Sequence, residues 1–128
     1  MKKSRRRLKL ILDYGTTAQD FLQGKTLSDW QKDLQLQYAV AHALAGVVEN
    51  VKEYVQDAAR LQHLQQTYPH IQWKLIIRFR DKMIHHYEVL DQDILFEFAT
   101  LQLPELLEAI KEMIGNAPLE SGQGFVLK

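Results

Sequence analysis

The sequence contains no cysteine, and this absence excludes several classes of protein. A disulfide-stabilised fold, a thiolate metal site and a cysteine nucleophile all require thiols. Long apolar stretches are also missing, since none approaches the roughly 20 residues that cross a bilayer. The apolar run behind the basic N-terminus is interrupted at Lys9 and ends at Asp13, which is too short for a signal peptide. We therefore expect a soluble protein of the cytoplasm with no membrane partner.

Charge of one sign is not in excess either, because 16 Lys and Arg residues balance 16 Asp and Glu residues. No overall field attracts nucleic acid, so any polyanion must bind locally or on an assembled surface. The basic N-terminal run MKKSRRR could touch phosphate, but a solvated and frayed terminus is the preferred interpretation.

Apolar residues recur at helical spacing, and no stretch alternates convincingly with a period of two. In a chain of 128 residues this pattern predicts an all-α, up-and-down bundle of four to five helices. Residues 1–116 are the expected helical domain, and residues 117–128 the expected flexible tail. The predicted helices cover approximately residues 6–22, 28–66 with a break near 56–59, 73–90, 91–100 and 103–114.

Short polar and proline signals define the predicted helix ends. We interpret Ser28 and Gln31 as a capping box, Tyr68-Pro69 as a helix breaker and Asp91 as an N-cap. The side chains expected to be buried just after that last cap are Ile94, Leu95 and Phe98.

The predicted helix 73–91 carries a cation within its apolar stripe. Arg80 lies four residues after Ile76 and four before Ile84, so it shares their face. Burying a guanidinium costs several kcal/mol unless it is paired or hydrogen-bonded. Glu49, beside the apolar face of the preceding long helix, is interpreted either as a partner for such a cation or as a solvated carboxylate.

Arg80 and His85 together supply chemistry that can cleave RNA without a metal ion. Imidazole transfers protons near neutral pH, guanidinium stabilises charge on phosphate, and the 2′-OH of RNA is the nucleophile. The two residues lie roughly 140° apart on a straight helix, so a bend or a second copy must bring them together. Asp81, four residues before His85, can hydrogen-bond to it. The alternative is a polar seam of Arg80, His85 and Tyr87 inside a helical interface. The histidines show no metal-ligand spacing, and neither a metal nor a cofactor is predicted.

The segment Arg80-Asp81-Lys82-Met83-Ile84-His85-His86-Tyr87 resembles the Arg-x4-His-x-Tyr motif of HEPN-domain ribonuclease toxins of the HepT-like family. Residues 69–73, 89–91 and 103–106 resemble the flanks of that motif in the family. The resemblance covers about residues 6–114. One difference is Asp81, where the family commonly has Asn, and a carboxylate there can pair with Arg80. Another is the surroundings of Glu49, where only the glutamate of the family's Gly-Glu-Ala is kept.

The resemblance implies a homodimer with a composite, metal-independent endoribonuclease site at its interface. It implies Arg80 and His85 as catalytic residues, Asp81 and Tyr87 as supporting ones, and RNA (tRNA or mRNA) as the substrate. It also implies the toxin of a type VII-like toxin–antitoxin pair, whose nucleotidyltransferase antitoxin transfers AMP to Tyr87. The alternative function is a non-catalytic helical module that positions a partner nucleotidyltransferase on its substrate.

Overall fold

A computed structural model describes the backbone of residues 2–85 and 91–116, and the side chains of residues 4–83 and 91–116. Within these ranges the chain is almost entirely helical and has no strand, which confirms the all-α prediction. The predicted tail 117–128 lies outside the described residues. The helices are α1 (Lys2–Leu22), α2 (Leu27–Lys32), α3 (Leu34–Val55), α4 (Ala58–Thr67), α5 (Trp73–His85), α6 (Gln92–Glu97) and α7 (Leu103–Asn116).

The core forms where α3 packs between α1 and α5, with α7 against α1. Each of these helices carries apolar residues at helical spacing, and burying that stripe stabilises the bundle by about 25 cal/mol for every Å² of apolar surface removed from water. The largest fully buried side chains include Trp30, Trp73, Ile11, Leu44, Ile76 and Ile110. Among the described helices, none is long and apolar enough to cross a membrane.

The predicted capping box is wrong by two residues. The N-cap of α2 is Thr26, whose hydroxyl accepts a hydrogen bond from the backbone N–H of Asp29, while the Asp29 carboxylate accepts one from the Thr26 N–H. Gln31 instead donates across the surface to Asp93. The negatively charged Asp29 accepts more strongly than the Gln31 amide would, which explains the earlier helix start.

The predicted long helix is divided at two places. Asp33 ends α2 and caps α3, a break that the sequence prediction missed. The second break confirms the expected interruption near 56–59: Gln56 has a φ of 64°, and Asp57 then caps α4. A residue with positive φ cannot continue a right-handed α-helix, so α3 ends at this point.

The segment before α5 holds that helix against the core. Tyr68 and Pro69 separate α4 from α5 as predicted, and the indole of Trp73 donates a hydrogen bond to the Tyr68 carbonyl at 3.3 Å. Trp73 and Ile71 are both buried. The first turn of α5 is therefore fixed in position, and the direction of the helix beyond it follows.

The region after Asp91 differs from the prediction in two ways. Asp91 caps α6 as expected, but Ile94 is 49% exposed rather than buried, while Leu95 and Phe98 are buried as predicted. The helices predicted over residues 91–100 and 103–114 are not separate, because a π-helical turn over Phe98–Gln102 joins them. The wider turn shifts the face that the helix presents, so the apolar stripe of α7 continues onto the core despite Pro104.

The helix α1 begins at Lys2, and the prediction of a solvated terminus is wrong for Arg5 and Arg7, whereas Arg6 is exposed as expected. Arg5 donates to the carbonyl of Ile114 at the C-terminal end of α7, and Arg7 donates to the side chain of buried Asn50 at 2.9 Å. A cation at a helix C-terminus is stabilised by the helix dipole. These two contacts attach the N-terminal part of α1 to α7 and α3.

Candidate functional site around Arg80

Arg80 lies on α5 facing α3, and its side chain is only 22% exposed. Its Nε donates to Oε1 of Glu49 at 2.6 Å, and its Nη1 donates to Oδ1 of Asp81 at 3.0 Å. The expectation that an arginine within the apolar stripe needs a partner is confirmed. The open question about Glu49 is answered as well, since this carboxylate is the partner.

The two carboxylates keep the guanidinium charged. The hydrogen bond from Arg80 to Glu49, followed by that to Asp81, raises the pKa of Arg80 above its ordinary value. Arg80 is therefore positively charged at every pH at which the protein is folded. A guanidinium has five N–H donors, and the two described bonds use two of them.

Glu49 reaches Arg80 because it lies at the edge of the buried stripe of α3. Its neighbours Val48 and Val51 are fully buried, whereas the Glu49 side chain is 37% exposed. The α3 backbone is thus fixed against the core while the carboxylate points along the surface towards α5. Sequence spacing alone could not pair these residues, because they lie 31 positions apart on different helices.

An open groove of about 360 Å³ lies beside this ion pair, between α1, α3 and α5. Gly46 makes the close approach of α1 possible, since a Cβ at this position would lie 2.5 Å from the Tyr14 ring. The described residues that line the groove are Tyr14, His42, Ala45, Gly46, Glu49 and Arg80.

Sequence reasoning missed three residues of this groove, namely Tyr14, His42 and Gly46. A signal for two of them exists, because His42, Gly46 and Glu49 follow at spacings of four and three and so share one face of α3. A glycine between two polar residues on such a face indicates close approach by another element. No sequence pattern indicates Tyr14, which arrives from α1 through tertiary packing.

His85 belongs to the last described turn of α5, but its side chain lies outside the described residues. Tyr87 lies outside them altogether. The predicted contact between Asp81 and His85 and the roles of His85 and Tyr87 therefore remain predictions. Among the side chains that the structure describes, no group of three or more His, Asp or Glu residues could hold a metal ion.

The sequence of this chain is similar to those of known proteins. The sequence model of the family described as Ribonuclease HepT-like matches residues 11–113. A Methanocaldococcus jannaschii protein is 32% identical over 74% of each chain. A Thermococcus cleftensis protein is 31% identical over 69% of this chain and 74% of its own. A Caldanaerobacter subterraneus protein is 28% identical over 89% of this chain and 96% of its own.

The names of these three relatives describe presumed ribonucleases, and that of the Thermococcus protein specifies HepT. No solved structure matches the chain significantly. Fold and sequence together define an all-α ribonuclease of the HEPN type. The chain belongs to the ribonuclease HepT-like family.

Proposed function

We propose that the protein is the toxin of a type VII-like toxin–antitoxin pair and cleaves RNA, tRNA or mRNA, in the cytoplasm as a metal-independent endoribonuclease. The observation that carries this proposal is the position of Arg80. Its guanidinium is held charged by Glu49 and Asp81 at the edge of an open groove, on the helix that also contains His85. Membership of a ribonuclease family supports the substrate class.

In the proposed reaction, His85 takes the proton of a ribose 2′-OH and that oxygen attacks the adjacent phosphorus. The bond from phosphorus to the 5′-oxygen breaks, and this oxygen leaves with a proton returned by the His85 imidazolium. The products are a 2′,3′-cyclic phosphate and a free 5′-OH. Arg80 stabilises the additional negative charge on the phosphate oxygens in the transition state.

The active enzyme in this proposal is a homodimer. The helix α5 contains both Arg80 and His85, which lie roughly 140° apart if it is straight, so a site shared by two copies is favoured over one within a single copy. Two α5 helices that meet across a two-fold axis place the Arg80 of one copy near the His85 of the other. Exposure of part of Arg80 in the single chain agrees with this arrangement, since a fully enclosed side chain could not reach a second copy.

Control by a nucleotidyltransferase antitoxin completes the proposal. AMP attached to Tyr87, two residues beyond His85, would add a bulky anion beside the site. The added phosphate repels the RNA backbone, and the added adenosine occupies the space that the substrate needs. Asp81 and Tyr87 support the reaction in this scheme without exchanging a proton with the substrate.

The test is RNA cleavage by the purified full chain in the presence of a chelator. We expect Arg80→Ala and His85→Ala each to lower cleavage by on the order of 100-fold or more, as loss of a general acid–base or an oxyanion donor does. His63→Ala, a substitution at an exposed histidine of α4, is the matched control and keeps full activity. Undiminished cleavage by the His85→Ala protein would refute the assignment of His85, and products without cyclic phosphate ends would refute the mechanism.

A second candidate is the non-catalytic helical module that positions a nucleotidyltransferase. The observation in its favour is that Arg80 already has two carboxylate partners, as a purely structural arginine would. A non-catalytic module does not cleave RNA. Purified wild-type protein that binds the nucleotidyltransferase and leaves all RNA intact would therefore support this second function.

A further inference from the structure

The groove beside Arg80 has the size and position of a binding site that the cleavage chemistry does not itself require. Its volume is about 360 Å³ and it is open to solvent, so it can hold part of a ligand while the rest stays exposed. Three helices build it, so its walls are fixed by the packing of α1 and α5 onto α3. A ligand would therefore find the site largely formed.

The lining combines aromatic and apolar surface with a cation at one end. Tyr14 is partly buried, packed against the core and held over Gly46, whereas His42 is exposed on the same face of α3. Ala45 adds apolar surface, and Arg80 provides the remaining guanidinium donors. Such a site suits a flat ring joined to an anion, because bases stack on aromatic side chains and phosphates bind arginine.

Glu49 determines the orientation of such a ligand in the groove. Its carboxylate repels a phosphate, so the anion must approach Arg80 from the side away from Glu49. The same carboxylate accepts hydrogen bonds from Arg80 and has acceptor capacity left for an N–H or O–H group of the ligand. A nucleotide satisfies both conditions, with its phosphate on Arg80 and its base and ribose in the groove.

We propose that this groove is a nucleotide subsite, which holds the base and ribose of the nucleotide attached to the phosphate on Arg80. Tyr14 and His42 supply the aromatic surfaces, and Glu49 accepts from the base or the ribose. This inference rests on the proposed function in two respects, the identity of the polymer as RNA and the binding of its phosphate by Arg80. It adds a place for the base and ribose next to the Arg80–His85 pair.

The test uses the isotope-labelled full chain and the four nucleoside 3′-monophosphates, followed by NMR. We expect at least one nucleotide to shift the backbone amide of Gly46 and its neighbours in a saturable way. Inorganic phosphate and ribose 5-phosphate lack the base, and we expect them to bind more weakly by on the order of tenfold or more. Equal affinity for phosphate and all nucleotides would overturn the subsite and leave a plain anion site.

Two variants examine the lining directly. Tyr14→Leu removes the ring while keeping apolar volume, and we expect it to weaken nucleotide binding by on the order of tenfold. His42→Ala changes an exposed side chain, so the fold persists and binding again weakens, whereas His63→Ala on α4 binds as the wild type does. If Tyr14→Leu does not fold, His42→Ala decides, and unchanged affinity in that variant overturns the proposal.

The failure of this inference is separable from the failure of the nuclease proposal. The monophosphates contain no bond that transesterification could cleave, so their binding does not depend on activity. A chain that cleaves RNA while no nucleotide perturbs Gly46 would refute the subsite alone. The titrations are run at one fixed protein concentration, so that dimer formation through α5 does not contribute to the shifts.

Discussion

Replacement of Glu49 by glutamine removes the charge that faces Arg80 and leaves nearly the same shape. In the native protein Nε of Arg80 donates to Glu49 at 2.6 Å, and the Arg80 side chain is 22% exposed. The amide oxygen of glutamine can still accept this hydrogen bond. Glu49→Gln therefore isolates the electrostatic part of the interaction between α3 and α5.

The expected loss follows from the kind of hydrogen bond that is exchanged. A bond to a charged group contributes about 1.5–3 kcal/mol to stability and a neutral one about 0.5–1.5 kcal/mol. The Glu49 side chain is 37% exposed, so water screens part of its charge and the lower end of the difference applies. We expect Glu49→Gln to lower the free energy of unfolding by about 1 kcal/mol, or the melting temperature by roughly 3–6 °C.

The assay is urea unfolding of matched variants. Glu108→Gln is the control, because Glu108 is 77% exposed and its bridge to Lys111 is 3.3 Å long, and we expect a loss below about 0.5 kcal/mol. Arg80→Met with Glu49→Gln completes a double-mutant cycle, in which the coupling free energy should be about 1 kcal/mol. Zero coupling, or equal losses in the Glu49 and Glu108 variants, would refute the idea that this pair holds Arg80.

Two further predictions concern the packing of the bundle. Gly46→Ala places a methyl group 2.5 Å from the Tyr14 ring, so overpacking of about 1–3 kcal/mol should cancel or exceed the gain in helix propensity. Gly115→Ala meets no atom within 4 Å and should be the more stable of the two in urea unfolding; the reverse order would contradict the close approach. Burial, together with the hydrogen bond to Glu112, raises the pKa of Tyr68 to about 12. Its contribution to stability is therefore present below about pH 10 and lost as the pH rises from about 10 through 12, by up to about 2–3 kcal/mol. Unfolding free energies measured across that range should fall more steeply for the wild type than for Tyr68→Phe, and parallel curves would contradict the shift.

The helices could be predicted from the sequence because their signals are local. Apolar periodicity located α1, α3, α5 and α7, and the residues Pro69 and Asp91 marked two boundaries correctly. The errors arose where two local signals competed, as with Thr26 and Ser28 at the start of α2. The docking of Arg5 and Arg7 was missed for another reason, since their partners are distant in sequence.

The candidate site was predictable only in part for the same reason. An arginine in an apolar stripe indicates that a partner exists. The sequence leaves open whether Glu49 is that partner or a solvated carboxylate. The groove depends on Tyr14 from α1 meeting Gly46 from α3, a contact that neither segment indicates by itself. The sequence of α5 alone thus identifies Arg80 as a residue that needs a partner, whereas the residues that surround it can be identified only from the tertiary structure.

The composite site can be tested most directly by mixing two inactive variants. In a dimer that pairs Arg80 of one copy with His85 of the other, an Arg80→Ala chain and a His85→Ala chain together contain one intact site. With random exchange half of the dimers are mixed, so RNA cleavage should recover to about a quarter of the wild-type rate. If Arg80 and His85 acted within one copy, every mixed dimer would lack an intact pair. Cleavage that stays at the level of the separate variants, with dimer exchange verified by mass, would contradict the composite site.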